Sequence, residues 1–196
     1  MTPLEQSRLT TAFAFALECH AEQTRKGPGG APYATHLMHV AALVLEFGGD
    51  IEQAMGALLH DSIEDCVAVD DDLLRESFGD GVAAIVRDCT DTEPGEDPAH
   101  KRPWKLRKAQ YVEHLRHAPE RSLLVAVCDK LHNLDSMIAG IEEETQEKFF
   151  GRFKGGPQQQ LWYYQQVEEA IEGRIPPRLA RELHARIARF EALLAD

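Results

Sequence analysis

His60-Asp61 closes the apolar run MGALL, where a polar pair is either satisfied within a network or put to work. Glu64 and Asp65 follow, and Glu64 stands one helical turn beyond His60, so the string HDSIED gathers three carboxylates and an imidazole within about two turns. That much negative charge beside an apolar stem is costly alone, and a divalent cation relieves it. Two further ligand types lie elsewhere in the chain. His36 follows Thr35, and Asp129 stands directly behind the six apolar residues Leu123 to Cys128, a place from which an aspartate should face something polar. Taken singly, these residues also read as a satisfied histidine or a helix cap. Together, His36, His60, Asp61 and Asp129 make a mixed nitrogen and oxygen donor set suited to manganese, iron or zinc, with positions left for water and a phosphate oxygen. Such a site, with water and a phosphate oxygen on its open positions, is one that can support metal-assisted cleavage of a phosphate ester.

Such cleavage also needs cations for the phosphoryl charge. The chain has 33 acidic and 21 basic residues, a net charge of −12, which opposes general attraction to DNA, RNA or anionic lipid. An anionic ligand therefore requires a local basic pocket. The run KRPWKLRK, Lys101 to Lys108, stands out against the acidic average. It reads either as a phosphate clamp, with Lys101 and Lys105 as its candidates, or as a solvated helix start. Lys154 in FKGG is a weaker candidate of the same kind. His114 and His117 lie among arginines and read as exposed, and the aromatic stretch from Trp162 to Tyr164 reads as core. The four widely spaced cysteines form no C-x-x-C pair and read as buried free thiols.

The elements that must carry these residues are helical. Apolar residues recur at helical spacing, as in Leu9, Phe13, Ala16 and Leu17, and again in Leu179, Leu183, Ile187, Phe190 and Leu194, which predicts an all-α fold. Thr2-Pro3-Leu4-Glu5 forms a capping box for the first helix. Arg25 to Tyr33 holds three glycines and two prolines and must be a loop, after which Thr35 is expected to cap a helix to about Phe47. Gly48-Gly49-Asp50 stops that helix and caps another, expected over about 51–63. Asp70 opens a short helix, Gly79 to Gly81 break it, and the next reaches about Thr90. Helices are then predicted at about 103–117, 120–139, 158–172 and 178–194, within one domain spanning 1–196. The longest apolar runs are six residues, too short to span a bilayer, and no basic-then-apolar start is present, so a cytoplasmic protein is expected. Nothing in the chain specifies an oligomeric state.

The order His36, His60-Asp61, Asp129 is similar to the metal signature of the HD phosphohydrolase superfamily. The longer strings RKGPGGAPYATH, ALLHDSIED and DKLHNL resemble the hydrolase domain of the RelA/SpoT alarmone enzymes, over about residues 20–135, and most of all their free-standing small hydrolase members. That resemblance implies an all-helical HD-domain bundle and a manganese-dependent enzyme that removes the 3′-pyrophosphate of (p)ppGpp, giving GDP or GTP plus pyrophosphate. It implies that Glu64 and Asp65 are the catalytic acidic pair orienting or deprotonating the water. It further implies that Arg25 packs on the base, that Lys26 meets phosphate and that Asn133 lies near the ribose. The chain lacks the synthetase and regulatory regions of the longer enzymes, so the expectation is hydrolysis alone. Segments 91–100 and 142–157 depart from the family pattern, which leaves an adenosine alarmone open as substrate. Other readings are a nucleotidase or NADPH 2′-phosphatase on the same metal set, and a non-catalytic alarmone sensor, against which the intact HDSIED argues.

Overall fold

Thr2 starts the first helix as its spacing predicts: its hydroxyl accepts from the Glu5 amide, and the Glu5 carboxylate accepts from the Thr2 amide. The computed structural model describes residues 1–92 and 102–195. Its elements in chain order are α1 (Pro3–Cys19), α2 (Ala34–Glu46), α3 (Ile51–Leu59), α4 (Ser62–Asp65), α5 (Asp71–Phe78), α6 (Asp80–Cys89), α7 (Trp104–Leu115), α8 (Glu120–Glu143), α9 (Gln146–Phe150), α10 (Pro157–Ala170) and α11 (Pro177–Ala195). Among the described residues there is no strand, only an isolated antiparallel bridge between Thr24 and Pro32. The expected all-α class is observed.

α8 is the axis of the bundle. Every residue from Ser122 to Leu131 is buried, so that stretch is enclosed on all faces, as a helix surrounded by others must be. α2, α3 and α6 pack on α8, and α11 packs on it as well. α10 joins the bundle through α7 and α11. α3 is buried from Gln53 to Leu59, and the crossing with α6 is tight at Gly56, where a Cβ would stand 2.6 Å from Ile85 Cγ2.

Three local expectations are corrected. Thr35 does not cap α2: the helix begins at Ala34 behind Tyr33, two residues earlier than a Thr35 cap would start it, and the Thr35 hydroxyl donates to the Pro32 carbonyl at 2.8 Å. The helix expected over 51–63 is two pieces, because the chain turns at His60-Asp61 between α3 and α4. The short α9, capped by Thr145, lies where no helix was expected, held by Phe149 and Phe150 in the core. Asp50 does cap α3, in a reciprocal box with Gln53.

Candidate active site

The turn at His60-Asp61 aims both side chains at one point. His60 Nδ1 lies 2.8 Å from the Ala57 carbonyl, so Nδ1 donates there and Nε2 is the nitrogen turned to the interior. His36 from the first turn of α2 and Asp129 from the buried middle of α8 converge there. His36 Nε2 lies 3.3 Å from His60 Nε2, 3.1 Å from Asp129 Oδ1 and 3.6 Å from Asp61 Oδ2. His60 Nε2 lies 2.9 Å from Asp61 Oδ2 and 3.5 Å from Asp129 Oδ1. Ligands about 2.0–2.2 Å from a single divalent ion stand about 3–3.5 Å apart; His36, His60 and Asp129 form a group that could hold one such cation, and Asp61 Oδ2 stands within 3.6 Å of both histidines. The four residues predicted as ligands are thus brought together by α2, the α3–α4 turn and α8.

Electrostatics at the cluster run the same way. Burial alone would push the His60 imidazole down, yet the carboxylates of Asp61 and Asp129 outweigh it and hold it well above its ordinary range. Burial would raise Asp129, but Lys130, 2.5 Å away, and the two histidines hold it well below the usual carboxylate range. The two carboxylates therefore carry the charge that a cation selects, whereas the His60 ring without a metal holds a second proton that a cation has to displace.

Around this cluster opens a cavity of about 980 Å³. Its lining carries six cations, Arg25, Lys26, Arg107, Lys108, Lys130 and Lys154, and six carboxylates, Asp61, Glu64, Asp65, Asp91, Asp129 and Glu143. A divalent cation on the donor set would tip that balance positive and so supply the local basic pocket that an anionic ligand needs in a chain of net charge −12. Arg25 is fixed over the Tyr33 ring at 5.6 Å and donates to Asn133 Oδ1 at 2.7 Å. Asn133 in turn donates to Asp129 Oδ1, so it links the loop arginine to the ligand cluster. Lys26 and Lys154 line the same wall, and Lys26 Nζ lies 5.4 Å from the centre of the Phe153 ring.

The basic run on α7 is arranged differently from the expected clamp. Lys101 lies outside the described residues. Lys105 is exposed, with its ammonium 5.6 Å from the Trp162 ring centre, and is absent from the cavity lining. Arg107 and Lys108 line the cavity instead, because α7 turns that face inward and Lys105 stands about 200° around the helix from Arg107. Both cations pair with Asp91, the Lys108 ammonium at 2.7 Å. Tyr163 and Tyr164 are buried as expected of core residues, but they also line the cavity.

Glu64 sits between these groups. Its Oε1 accepts from the Asp91 amide at 2.7 Å. Burial, reinforced by the Asp91 charge, pushes its carboxyl up to about 7. The unfolded carboxyl titrates near 4.5. Between those values the folded state holds more protons than the unfolded one, so this group's contribution to stability falls as pH rises from about 4.5 to about 7. Gln keeps the accepting oxygen and removes the charge. In chelator-treated protein, Glu64→Gln should therefore gain about 1–2 kcal/mol on wild type between pH 5 and pH 8, a figure discounted for partial exposure. Urea midpoints at the two pH values measure this, and parallel curves would remove the buried-charge account.

Several participating residues are invisible to motif reading. Tyr33 donates to Asp61 Oδ2 at 2.6 Å, and burial together with the Asp61 charge keeps its phenol protonated. Lys130 is buried against Asp129, and His132 Nδ1 lies 2.7 Å from His36 Nδ1. Burial and the neighbouring His36 push the His132 imidazole down to about 3. A lysine behind an apolar run was the available signal for Lys130. Tyr33 and Asp91 depend on contacts distant in sequence.

Comparison with known proteins agrees with this geometry. A family model described as HD domain matches residues 12–150. The chain is 38% identical over 122 residues to the Danio rerio guanosine-3′,5′-bis(diphosphate) 3′-pyrophosphohydrolase MESH1, covering 61% of this chain and 63% of that protein. It is 31% identical over 161 residues to the Xenopus tropicalis MESH1, covering 81% and 80%. A solved structure described as a metazoan ortholog of SpoT that hydrolyzes ppGpp superposes with a TM-score of 0.75 at 24% identity, over 92% of this chain and 94% of that one. With the ligand signature in place and most of its length matched, the chain belongs to the HD-domain family, among the relatives of the metazoan SpoT homologue.

Proposed function

We propose that this protein hydrolyses the 3′-pyrophosphate of (p)ppGpp, giving GDP or GTP and pyrophosphate, with manganese as its cation. The observation that carries the reading is the meeting of His36, His60, Asp61 and Asp129 beside a cavity whose lining carries Glu64 and six cations. The relatives it matches are named as enzymes of this activity. A divalent cation held by His36, His60, Asp61 and Asp129 supplies Lewis-acid stabilisation of the phosphoryl oxygens and makes water more acidic. Glu64 takes the proton from the attacking water, and a carboxyl held up to about 7 is matched to that task near neutral pH. Asp65, beside it on the cavity wall, completes the acidic pair. Arg25 is held rigid by Asn133 and Tyr33 to stack on the purine, and Lys26 and Lys154 face phosphate. Lys108 is the α7 cation we assign to the pyrophosphate, in place of Lys105. No described helix is long and apolar enough to cross a membrane, which suits a nucleotide enzyme of the cytoplasm.

The deciding experiment incubates purified protein with guanosine and adenosine tetraphosphates and NADPH in manganese buffer and identifies the products. Pyrophosphate with GDP is expected. Orthophosphate from NADPH or a mononucleotide would replace the reading with a monophosphatase, and tight binding without turnover would make the protein a sensor. Arg25→Ala should raise KM about tenfold with a smaller change in kcat, since a stacked guanidinium contributes on the order of 1–2 kcal/mol of binding. Steady-state kinetics check this, and an unchanged KM removes Arg25 from the nucleotide site.

A further inference from the structure

We infer that His132 is a positioning residue which fixes the metal-binding tautomer of His36 by accepting the proton on His36 Nδ1. This rests on the reading of His36 as a metal ligand and adds a role for a side chain that is itself outside the ligand set. His36 is fully buried, and its two ring nitrogens face opposite ways. Nε2 points at His60 Nε2 and Asp129 Oδ1, at 3.3 and 3.1 Å, while Nδ1 meets His132 Nδ1 at 2.7 Å. An imidazole can offer a lone pair at Nε2 only if its proton sits on Nδ1, and a buried N–H needs an acceptor. His132 Nδ1 is the acceptor at that distance, which obliges His132 to carry its own proton on Nε2. The donation also makes His36 a more basic ligand.

Two features hold His132 in this role. It lies one turn from Asp129 on α8, so ligand and positioning residue share one rigid buried helix. Its ring stacks on His39 of α2, with centroids 4.8 Å apart and planes 24° apart, and His39 Nδ1 is tied to the Thr35 carbonyl at 3.1 Å. The stack fixes the ring plane and leaves Nδ1 turned toward His36. Without His132 as acceptor, the His36 proton gains by moving to Nε2, where Asp129 accepts it and the cation has to displace it.

The test measures Mn²⁺ affinity of chelator-treated protein by calorimetry for wild type, His36→Ala, His132→Leu and His132→Asn. Asn places an accepting oxygen as many bonds from the backbone as Nδ1 of histidine. We expect His132→Leu to bind Mn²⁺ about 10–100-fold more weakly and His132→Asn to stay within about threefold of wild type. Unchanged affinity in His132→Leu, or equal loss in both variants, overturns the inference while His36→Ala still shows the metal site to be real. If His36→Ala also binds normally, it is the metal reading that fails. A second measurement needs no variant. In zinc-loaded wild type, long-range nitrogen–proton NMR correlations should place the His36 proton on Nδ1 and the His132 proton on Nε2, and the reverse pattern overturns the assignment whatever the variants do.

Discussion

Replacing His60 or Asp61 with alanine should abolish metal retention and turnover together, whereas Glu64→Ala should keep the metal and lose rate. The distinction follows from position. His60 Nε2 and Asp61 Oδ2 stand 2.9 Å apart inside the cluster, each within 3.6 Å of His36 Nε2, so each truncation removes a corner of the coordination shell. Loss of a supporting group alone costs about 10–100-fold in metal affinity, and loss of a ligand should exceed the upper end of that range. Glu64 accepts from the Asp91 amide, and in the proposed mechanism its removal takes away proton transfer, a loss on the order of 10²–10⁴ in kcat. Elemental analysis after gel filtration and product-release kinetics measure the two effects separately. Equal metal loss in all three variants would make Glu64 a ligand and leave the base unassigned.

Asp91→Asn should destabilise the protein by about 3 kcal/mol, more than any other single change near the cavity outside the ligands. The side chain is 2% exposed and pairs with both Arg107 and Lys108. Burial alone would raise its carboxyl, but Lys108 and Arg107 outweigh that and keep it charged below its ordinary value. Asparagine preserves the shape and the backbone donor to Glu64 while removing the buried carboxylate that Arg107 and Lys108 share. Chemical denaturation reads the loss. Adding Lys108→Met to Asp91→Asn should recover part of it, because one of the two cations goes too. If the single variant melts like wild type, the ion pair is a surface ornament despite its burial.

The fold and the site were legible to different depths, for physical reasons. Helix starts fixed by a side chain one turn ahead, at Thr2 and Asp50, appear where expected because a capping box is local chemistry. The break at His60-Asp61 has no glycine or proline at it to announce it. The apolar run MGALL favours continuation, and the turn is held by packing and by the bond from His60 to the Ala57 carbonyl. The ligand set was readable because an Asp behind six apolar residues and a His-Asp pair at the end of a core helix are costly unless employed. The cations on α7 were not assignable one by one, since which face turns inward depends on partners such as Asp91, 16 residues from Arg107 in sequence. Tyr33 and His132 escaped for the same reason: each acts through a partner 28 or 96 residues away.

The glycine-rich loop is stapled at its stem. Arg25 N–H donates to the Ala31 carbonyl at 2.8 Å and Tyr33 N–H to the Gln23 carbonyl at 2.9 Å, around the Thr24 and Pro32 bridge. Only the tip, with Gly29 and Gly30 at φ of 82° and 57°, uses the left-handed backbone. The stem sets the orientation of Arg25, so the tip is an interchangeable cassette. A spectroscopic label or a short graft between Gly29 and Gly30 can therefore report on ligand arrival at the cavity while leaving Arg25, the proposed purine contact, in place.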